Sequence, residues 1–415
     1  MALKRHRLCQ RRKALGFSQE RLAEVLGVER STVVRWESAE TDPHPWHRTR
    51  IASALQVTLE QLDDMLVDIS VATRRGQAMG EDTRNLSSAV RSPLLSGLRA
   101  FLTSYVPDPL AQPVPPLLDV RRNVVRVHNL YQRASYSSAA RLLPEALRQA
   151  TELASRTTGM HRASAFQLLA AAYIAASKLA TKVGDGHSAL LTADRASTAA
   201  RLTDHHALTA VAAYQAACGL LRLPGRVTEA AQVTQNSIKQ LVRGKRMRDP
   251  DLLSAHGALL LLAAVIAARQ GRTKDTDQLL TQAERLATEL GSDQNRLWTG
   301  FGPTNVAIHG VSAAVERHDA DRAIGIAGGV DLSRLPTALV GRRAQVHLDL
   351  AVAAAMASDG RSLAVLHILE AERVAPEVVR VNAQAQTLLL DLLSKDRRAA
   401  TPGLRPLAER AGLLA

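Results

Sequence analysis

The strongest constraint on the fold is a pair of short helical patterns joined by a single glycine near the start of this 415-residue chain. Ser18 is a good N-cap, because its hydroxyl can accept a hydrogen bond from a free amide of the first helical turn. Leu22, Ala23 and Leu26 then recur at the spacing of one helix face. Gly27 follows, and glycine tolerates the left-handed conformation that ends a helix. The pattern predicts a helix, a sharp turn and a second helix.

The second helix of this pair is expected over Glu29–Ala39, with Val33 and Trp36 facing inward. One basic helix is expected before the pair and two short helices after it, the last of which starts with a capping box: Ala2–Leu15, Trp46–Leu55 and a helix beginning at Thr58–Gln61. Residues 1–66 are therefore predicted to form a domain of five short helices around one small core.

The motif Phe17–Ala23, Gly27–Val28, Ser31–Glu37 resembles that of the Cro and phage-repressor (XRE) family of helix-turn-helix DNA-binding domains. This resemblance implies double-stranded DNA as a partner, with the second helix of the pair in the major groove. It also implies a set of DNA-binding residues: Gln19, Glu29, Arg30, Ser31, Arg35, Ser38, Arg48 and Arg50.

The resemblance distributes these residues between the DNA backbone and the bases. Gln19 would bind a phosphate together with the amides around it, as helix N-termini bind anions. Ser38, Arg48 and Arg50 would contact the DNA backbone, and Arg12 with Glu37 would form a pair that positions the reading helix.

Four residues would face base edges: Glu29, Arg30, Ser31 and Arg35. The two arginines suit discrimination between bases best, because each can donate two parallel hydrogen bonds to guanine. Glu29 stands where the family usually has serine or threonine. It is either a weaker cap or an acceptor for a cytosine amine. Val34 is either a contact to a thymine methyl group or a tolerated surface valine.

A net charge of +14 and a pI near 10.5 favour a polyanionic partner. Near the N-terminus the basic residues are concentrated in the predicted first helix. We interpret this run as a phosphate-facing stripe, the alternative being a solvated helix face: Lys4, Arg5, Arg7, Arg11, Arg12 and Lys13.

The remaining residues also favour helices. The chain is 46% hydrophobic but only 3% aromatic, and its long alanine and leucine runs indicate helices that pack closely through small residues. We predict an all-α fold class, in which the five-helix helix-turn-helix domain (1–66) is followed by a tetratricopeptide-like α-solenoid.

Residues 67–118 are predicted to be a linker, because periodicity weakens there and prolines from Pro107 to Pro116 forbid helix and stiffen the chain. One helix is expected inside this segment, over Leu94–Tyr105. The linker is either a hinge that transmits a signal to the DNA-binding domain or a passive tether.

Helical-hairpin repeats are predicted over residues 119–398, with a tail or capping helix over 399–415. The turns recur at intervals of about forty to forty-seven residues, which is within the range of such repeats: Gly184–Asp185, Pro224–Gly225, Gly271–Arg272, His318–Asp319 and Gly360–Arg361. Leu253–Gly291 is the clearest copy. A stack of hairpins winds into a superhelix with a concave groove that can bind ligands or partner segments.

Polar residues on otherwise apolar first helices are candidates for this groove, although each can equally be a hydrogen-bonded core residue or an ordinary exposed one: Gln167, Tyr173, Lys178, Tyr214, Gln215, His256, Asn305, His309, Arg342, Arg343 and Gln345. A regular helix cannot run through Leu297–Asn305, which contains two aromatic residues, two glycines and a proline. This segment predicts either a ligand pocket or a structural cap between two repeats. The candidate ligand-binding residues are Trp298, Phe301, Asn305, His309, Arg342 and Gln345.

The whole layout resembles actinobacterial regulators that couple a helix-turn-helix domain to tetratricopeptide-like repeats. The features that carry this resemblance are Arg35–Glu37, Pro45–Arg48, Phe301–Asn305 and Asp331–Pro336. More distantly it is similar to the peptide-responsive regulators of Gram-positive bacteria, which implies a signalling peptide or a small-molecule effector. A homodimer on a palindromic operator is expected, since two half-sites multiply the modest affinity of one short helix.

No catalytic, cofactor-binding or metal-binding motif is recognised, so we expect neither an enzyme nor a cofactor. Cys9 and Cys218 lie far apart, which fits a reducing cytoplasm, and the longest apolar stretch is too short to span a membrane. The predicted function is a sequence-specific transcriptional regulator. The alternatives are a protein-interaction scaffold with secondary DNA binding, and an antitoxin or phage-type repressor without an effector.

Overall fold

The computed structural model describes residues 3–38, 40–41, 43, 45–67, 70–71, 93–104, 114–243, 249–357, 359–396 and 401–414. These residues are almost entirely helical, which confirms the all-α prediction. The exception is a two-residue antiparallel pairing of Leu3–Lys4 with Ser70–Val71. The chain divides into two compact units, Met1–Leu86 and Ser87–Ala415.

The first unit contains the five predicted short helices: α1 His6–Ala14, α2 Gln19–Leu26, α3 Arg30–Glu37, α4 Pro45–Ala54 and α5 Leu59–Val67. Their apolar faces meet in one core, in which Leu26, Val33, Leu55 and Leu62 are almost completely buried. The helix α3 is shorter than predicted, because Glu29 has an extended backbone and serves as the N-cap.

Local hydrogen bonds define the ends of these helices as the sequence predicts. The Ser18 hydroxyl accepts from the Arg21 amide at 3.0 Å, and Gly27 ends α2 with a φ of +68°. At the start of α5, Thr58 and Gln61 exchange two hydrogen bonds of 3.0 and 3.1 Å, which is the expected capping box.

The second unit is built from consecutive helices. Its first half contains α6 Ser96–Thr103, α7 Leu117–Gln132, α8 Tyr136–Arg156, α9 Arg162–Val183, α10 Gly186–Arg201, α11 His206–Leu220 and α12 Val227–Arg243. Its second half contains α13 Pro250–Arg269, α14 Thr273–Leu290, α15 Pro303–Glu316, α16 Ala320–Gly328, α17 Val340–Ala355, α18 Arg361–Val374, α19 Pro376–Val381, α20 Ala383–Lys395 and α21 Leu404–Arg410.

All five predicted turns lie between consecutive helices that pack against each other: α9 with α10, α11 with α12, α13 with α14, α15 with α16, and α17 with α18. Gly184, Gly225 and Gly271 adopt positive φ angles in the first three turns. In the fourth, the Asp319 carboxylate caps α16 by accepting from the Arg322 amide at 3.1 Å. The turn spacing therefore identified the helical hairpins correctly.

Part of the predicted linker is packed helix. Pro93–Leu95 forms one 3-10 turn that leads into α6, and Leu95, Leu98 and Leu102 bury one face of this segment in the main core of the second unit. An ion pair between Arg99 and Asp185 joins α6 to the start of α10. Tyr105 and the proline-rich residues 107–113 lie outside the described residues.

In the second unit, hydrogen bonds also connect segments that are far apart in the sequence. Gln132 and Asn295 exchange two amide hydrogen bonds of 2.7 Å. The backbone amide and hydroxyl of Ser137, at the start of α8, donate to the Glu377 carboxylate at 2.7 and 3.0 Å. Contacts in this unit therefore extend beyond neighbouring hairpins.

Among the described residues, two helical segments are long and apolar enough to cross a membrane, Gly159–Val183 and Pro250–Arg269. Their apolar windows are 67% and 83% buried inside the protein. Packing in the core of the second unit accounts for their composition, because α9 and α13 contribute Ile174, Leu179, Leu259 and Leu261 as fully buried side chains.

Candidate DNA-binding surface and ligand cavity

The helix α3 has one buried face and one exposed face. Val33, Trp36 and Glu37 are buried against the core, whereas Arg30, Ser31, Val34 and Arg35 are exposed on the other side. Positions 31, 34, 35 and 38 share a helix face because they are three or four residues apart. The residues predicted to read bases therefore lie on one accessible surface of the domain.

A buried ion pair anchors α3. The Arg12 guanidinium donates from Nε to Glu37 Oε1 at 2.5 Å and from Nη2 to Oε2 at 3.1 Å, with only 6% of each side chain exposed. The hydrogen bond to Glu37 is the main cause of a raised Arg12 pKa. Gln19 also donates to Glu37, from Nε2 to Oε2 at 2.7 Å. The pair expected to position the reading helix is thus present, together with a third residue.

This arrangement affects the phosphate contact predicted for Gln19. An amide nitrogen carries two hydrogens, and Glu37 accepts one of those on Gln19. The other hydrogen and the backbone amides of the first turn of α2 are the donors that this helix N-terminus can offer to an anion.

The four residues predicted to face base edges make exposed or long contacts to the described part of the domain. Arg30 pairs with Glu20 at 2.7 Å, both side chains being more than half exposed. Ser31 donates to Glu29 Oε2 at 3.1 Å, so the Glu29 side chain does not cap α3. Arg35 makes one long contact of 3.4 Å to its own helix.

Three predicted backbone contacts lie near the end of α3 and on α4. Ser38 donates to the Arg35 carbonyl at 3.2 Å, Arg48 Nε donates to the Pro43 carbonyl at 3.2 Å, and Arg50 is exposed. Ser38 and Arg48 are half-buried, so only Arg50 of the three is exposed to solvent.

The predicted phosphate-facing stripe of helix one is wrong for two of its members. Arg5 and Arg12 are only 3% and 5% exposed. Arg5 donates to the carbonyl groups of Leu66, Trp36 and Thr41, because chain segments that end nearby leave carbonyl oxygens without helical partners. Arg11 likewise donates to Leu55 and Gln56. The guanidinium groups of Arg5, Arg11 and Arg12 therefore bond to groups within the domain, whereas Lys13 is exposed. The side chains of Lys4 and Arg7 lie outside the described residues.

The second unit contains a cavity of about 320 Å³ between its helices. Side chains from α7, α9, α11, α13, α15 and α17 line it, together with the irregular segment before α15. The polar and aromatic lining residues are Tyr131, Gln132, Tyr136, Lys178, Thr181, Lys182, Tyr214, Gln215, Cys218, Arg222, Trp298, Thr299, His309, Ser312, Glu316, Arg342, Gln345, Asp349, Asn382 and Gln384. This volume is at the lower end of the range for small-molecule sites.

The irregular segment 297–302 forms part of the cavity wall. Leu297, Trp298 and Gly300 have positive φ angles, and α15 starts with Pro303 in its first turn, as the sequence predicts. The Trp298 ring stacks on the buried His128 ring, with centroids 3.6 Å apart and planes 4° apart. The Trp298 carbonyl accepts a hydrogen bond of 2.8 Å from Lys178 Nζ. The strained backbone is therefore held by contacts to two helices.

Two of the six predicted ligand-binding residues do not line the cavity. Phe301 is fully buried and packs so closely on Gly257 that a Cβ there would lie 2.0 Å from the ring. It is a core residue, and assigning it to the pocket was wrong. Asn305 is 1% exposed, does not line the cavity, and accepts a hydrogen bond of 2.9 Å from His309 Nδ1 through its backbone carbonyl oxygen. Trp298, His309, Arg342 and Gln345 do line it.

Of the wider set of groove candidates, Lys178, Tyr214 and Gln215 also line the cavity. The others have different roles or places. Arg343 donates to the carbonyl groups of Leu332, Leu335, Pro336 and Thr337 and so holds the loop before α17. Gln167, Tyr173 and His256 lie away from the cavity walls.

Burial and neighbouring charge change the ionisation of the cavity side chains. Burial, together with the nearby Arg342, lowers the pKa of Lys178 to about 7. For Lys182 burial, then Arg222 and Arg342, lower the pKa to about 8. Burial and Arg342 lower the pKa of His309 to about 3, so its ring is neutral. Burial raises the pKa of Tyr131 to about 12 and that of Cys218 to about 11.

Sequence reasoning missed Lys182, Arg222, Tyr131 and Asp349. Lys182 is four residues after Lys178 and therefore on the same helix face, a spacing that could have predicted it. The other three come from α7, the turn after α11 and α17, and they meet only through packing. Asp349 accepts hydrogen bonds from Gln345 at 2.9 Å and from Ser312, while burial raises its pKa.

Within the described part of the chain, no group of three or more His, Cys, Asp or Glu side chains is placed to hold a metal ion.

Comparison with known proteins supports the first unit's assignment. Residues 10–62 match a family model described as helix-turn-helix. No curated protein matches the chain. Among solved structures, the chain is similar to Bacillus thuringiensis PlcR in complex with the peptide PapR7 and DNA. The two share 15% identity over 69% of this chain and 94% of that one, with a TM-score of 0.31.

The family match spans α2, the Gly27 turn and α3, together with the residues that anchor them. The chain therefore carries a helix-turn-helix domain of the type that DNA-binding regulators use.

Proposed function

We propose that this protein is a sequence-specific DNA-binding transcriptional regulator that acts in the cytoplasm, binds a palindromic operator as a homodimer, and is modulated by a ligand in the cavity of its second unit. The observation that carries the proposal is the division of α3 into a buried, anchored face and an exposed face with Arg35 and Ser31. An α-helix presented in this way fits the width of the major groove.

Arg35 is the residue best suited to base reading. It is exposed in the last turn of α3, and the one hydrogen bond that its side chain makes to the described residues, to the Ser31 carbonyl, is 3.4 Å long. The guanidinium therefore gives up only this long hydrogen bond when it donates two hydrogen bonds to a guanine. Arg30 must first leave Glu20, an exposed pair that costs little to separate.

The remaining contacts position the helix on the duplex. The first-turn amides of α2 together with Gln19 are proposed to bind one phosphate, while Ser38, Arg48 and Arg50 bind phosphates on the other side of the groove. In this arrangement Glu37 acts inside the domain, because its carboxylate connects Arg12 and Gln19 and so couples α1, α2 and α3.

The test is a selection of binding sites from random DNA with the full-length protein, in the presence of excess competitor DNA. We expect a palindrome whose half-sites are one helical turn apart, about 10 base pairs from centre to centre. Arg35→Ala should lose preference at one base pair of each half-site, at a cost of about 1 to 3 kcal/mol. Arg373→Ala removes an exposed arginine that pairs with Glu370 in the second unit, and it should leave the preference intact.

A selection that recovers no shared sequence would contradict the proposal and favour a protein-interaction scaffold. A selected site that Arg35→Ala binds with unchanged base preference would refute the assignment of Arg35 as a reader.

A further inference from the structure

The cavity in the second unit holds more positive than negative charge. Four cationic side chains line it, Lys178, Lys182, Arg222 and Arg342, against two carboxyl groups. One of these, Glu316, already pairs with Arg269 through two hydrogen bonds of 2.6 and 2.9 Å. The other, Asp349, is buried and bonded to Ser312 and Gln345.

Among the described residues, no ion pair joins any of the four cations to a carboxylate, although Lys178 is only 8% exposed and Lys182 and Arg342 are half-buried; Arg222 is exposed. Within the described part of the chain, the ammonium of Lys178 has one neutral partner, the Trp298 carbonyl, and that of Lys182 has only Gln345 Oε1 at 3.5 Å. Burying uncompensated like charges in one cavity is unfavourable unless an opposite charge joins them. The lowered pKa values of Lys178 and Lys182 reflect this cost, and a bound anion would supply the missing opposite charge.

The walls also indicate what kind of anion fits. Thr181 presents a hydroxyl that has no hydrogen-bond partner among the described residues, next to the cations. Tyr131, Tyr214 and Trp298 line the same space, together with Leu262 and Val265. A ligand with a negatively charged end and an apolar or aromatic body would fit this combination of side chains.

We infer that the cavity binds a small organic anion, whose carboxylate or phosphate group lies between Lys178, Lys182 and Arg342. The cations supply charge-assisted hydrogen bonds, Thr181 supplies a neutral donor, and the aromatic side chains contact the rest of the molecule. A volume of about 320 Å³ holds one compact ligand, or the carboxyl-terminal end of a peptide. That this anion is the effector rests on the proposed function.

The test is calorimetric titration of the full-length protein, without DNA, at constant ionic strength. Citrate represents carboxylates and pyrophosphate represents phosphates, and the arm with the lower Kd identifies the preferred group. We expect at least one of them to bind with one-site stoichiometry. The double variant Lys178→Met, Lys182→Met should raise its Kd at least tenfold, because methionine keeps the apolar stem of each side chain without the charge.

A matched variant, Lys239→Met with Lys274→Met, removes two exposed lysines of the same unit and should bind as the natural protein does. Arg342→Gln provides a second loss-of-charge variant if the double variant fails to fold, as judged by circular dichroism. It should also raise the Kd at least tenfold.

The inference is overturned if neither probe binds, or if the cavity variants and the exposed-lysine variant change the Kd equally. Because DNA is absent from the titration, its result is independent of the operator selection. Binding of an anion without any selected operator would refute the proposed function alone, and a selected operator without anion binding would refute the cavity assignment alone.

Discussion

Removing the Glu37 carboxylate should loosen the helix-turn-helix domain while leaving the second unit intact. In Glu37→Ala, the buried Arg12 guanidinium loses two hydrogen bonds and Gln19 loses one. Breaking a buried ion pair by removing one partner costs about 3 to 5 kcal/mol. The lower end applies here, because Arg12 keeps its hydrogen bond of 2.6 Å to the Phe17 carbonyl.

A loss of about 3 kcal/mol corresponds to a roughly 150-fold change in the equilibrium between closed and open states, at 1.36 kcal/mol for each factor of ten. Hydrogen exchange followed by mass spectrometry on the full-length protein measures this change as a drop in amide protection. Peptides that cover α1, α2 and α3 should lose about two orders of magnitude of protection, and those from α13 should lose none.

Glu24→Ala is the matched control, since it removes a carboxylate from an ion pair with Arg21 in which both side chains are more than 60% exposed. Exposed pairs of this kind contribute little to stability, so protection should change less than threefold. If Glu37→Ala also changed protection in α3 less than threefold, the anchoring role of this pair would be refuted.

Three further predictions concern the second unit. Gly257→Ala should destabilise the second unit by about 1 to 3 kcal/mol, because the added methyl group would overlap the Phe301 ring. Urea unfolding should show a lower midpoint, and an unchanged midpoint would mean that the ring can move aside without cost. Phe301→Ala should cost about 3 to 5 kcal/mol in the same assay, whereas a pocket residue would cost much less. In the absence of an anion, the contribution of Lys178 to stability should rise by about 3 to 4 kcal/mol as the pH increases from about 7 to 10, because the unfolded chain binds a proton at Lys178 that the folded protein releases at a pKa of about 7. In Lys178→Met this slope in a series of urea melts should be reduced, and an equal slope would contradict the lowered pKa.

The features that sequence predicted best depend on a few neighbouring residues. The Ser18 cap, the left-handed Gly27 and the Thr58–Gln61 box each involve groups within three residues of one another. The five turns of the second unit are likewise local, because glycine or aspartate at a helix end has the same effect in any surrounding structure. Helix caps and turns can therefore be predicted from the sequence without knowledge of the tertiary fold.

The misassigned residues depend on contacts that no local pattern contains. Arg5 is basic and stands near other basic residues, yet three carbonyl groups from distant positions bury it. Phe301 belongs to an irregular segment, which suggested a pocket, but its ring fills the space left by Gly257 on another helix. The cationic cavity is missed for the same reason, because its positive charges come from α9, α17 and the turn after α11.

The hydrogen bonds between Gln132 and Asn295, and between Ser137 and Glu377, separate this unit from open arrays in which each hairpin meets only its neighbours. Open arrays change length readily during evolution, since a copy can be gained or lost without disturbing distant copies. Here an inserted hairpin would pull both partner pairs apart. Relatives of this protein should therefore keep the number of hairpins fixed and vary in their loops instead.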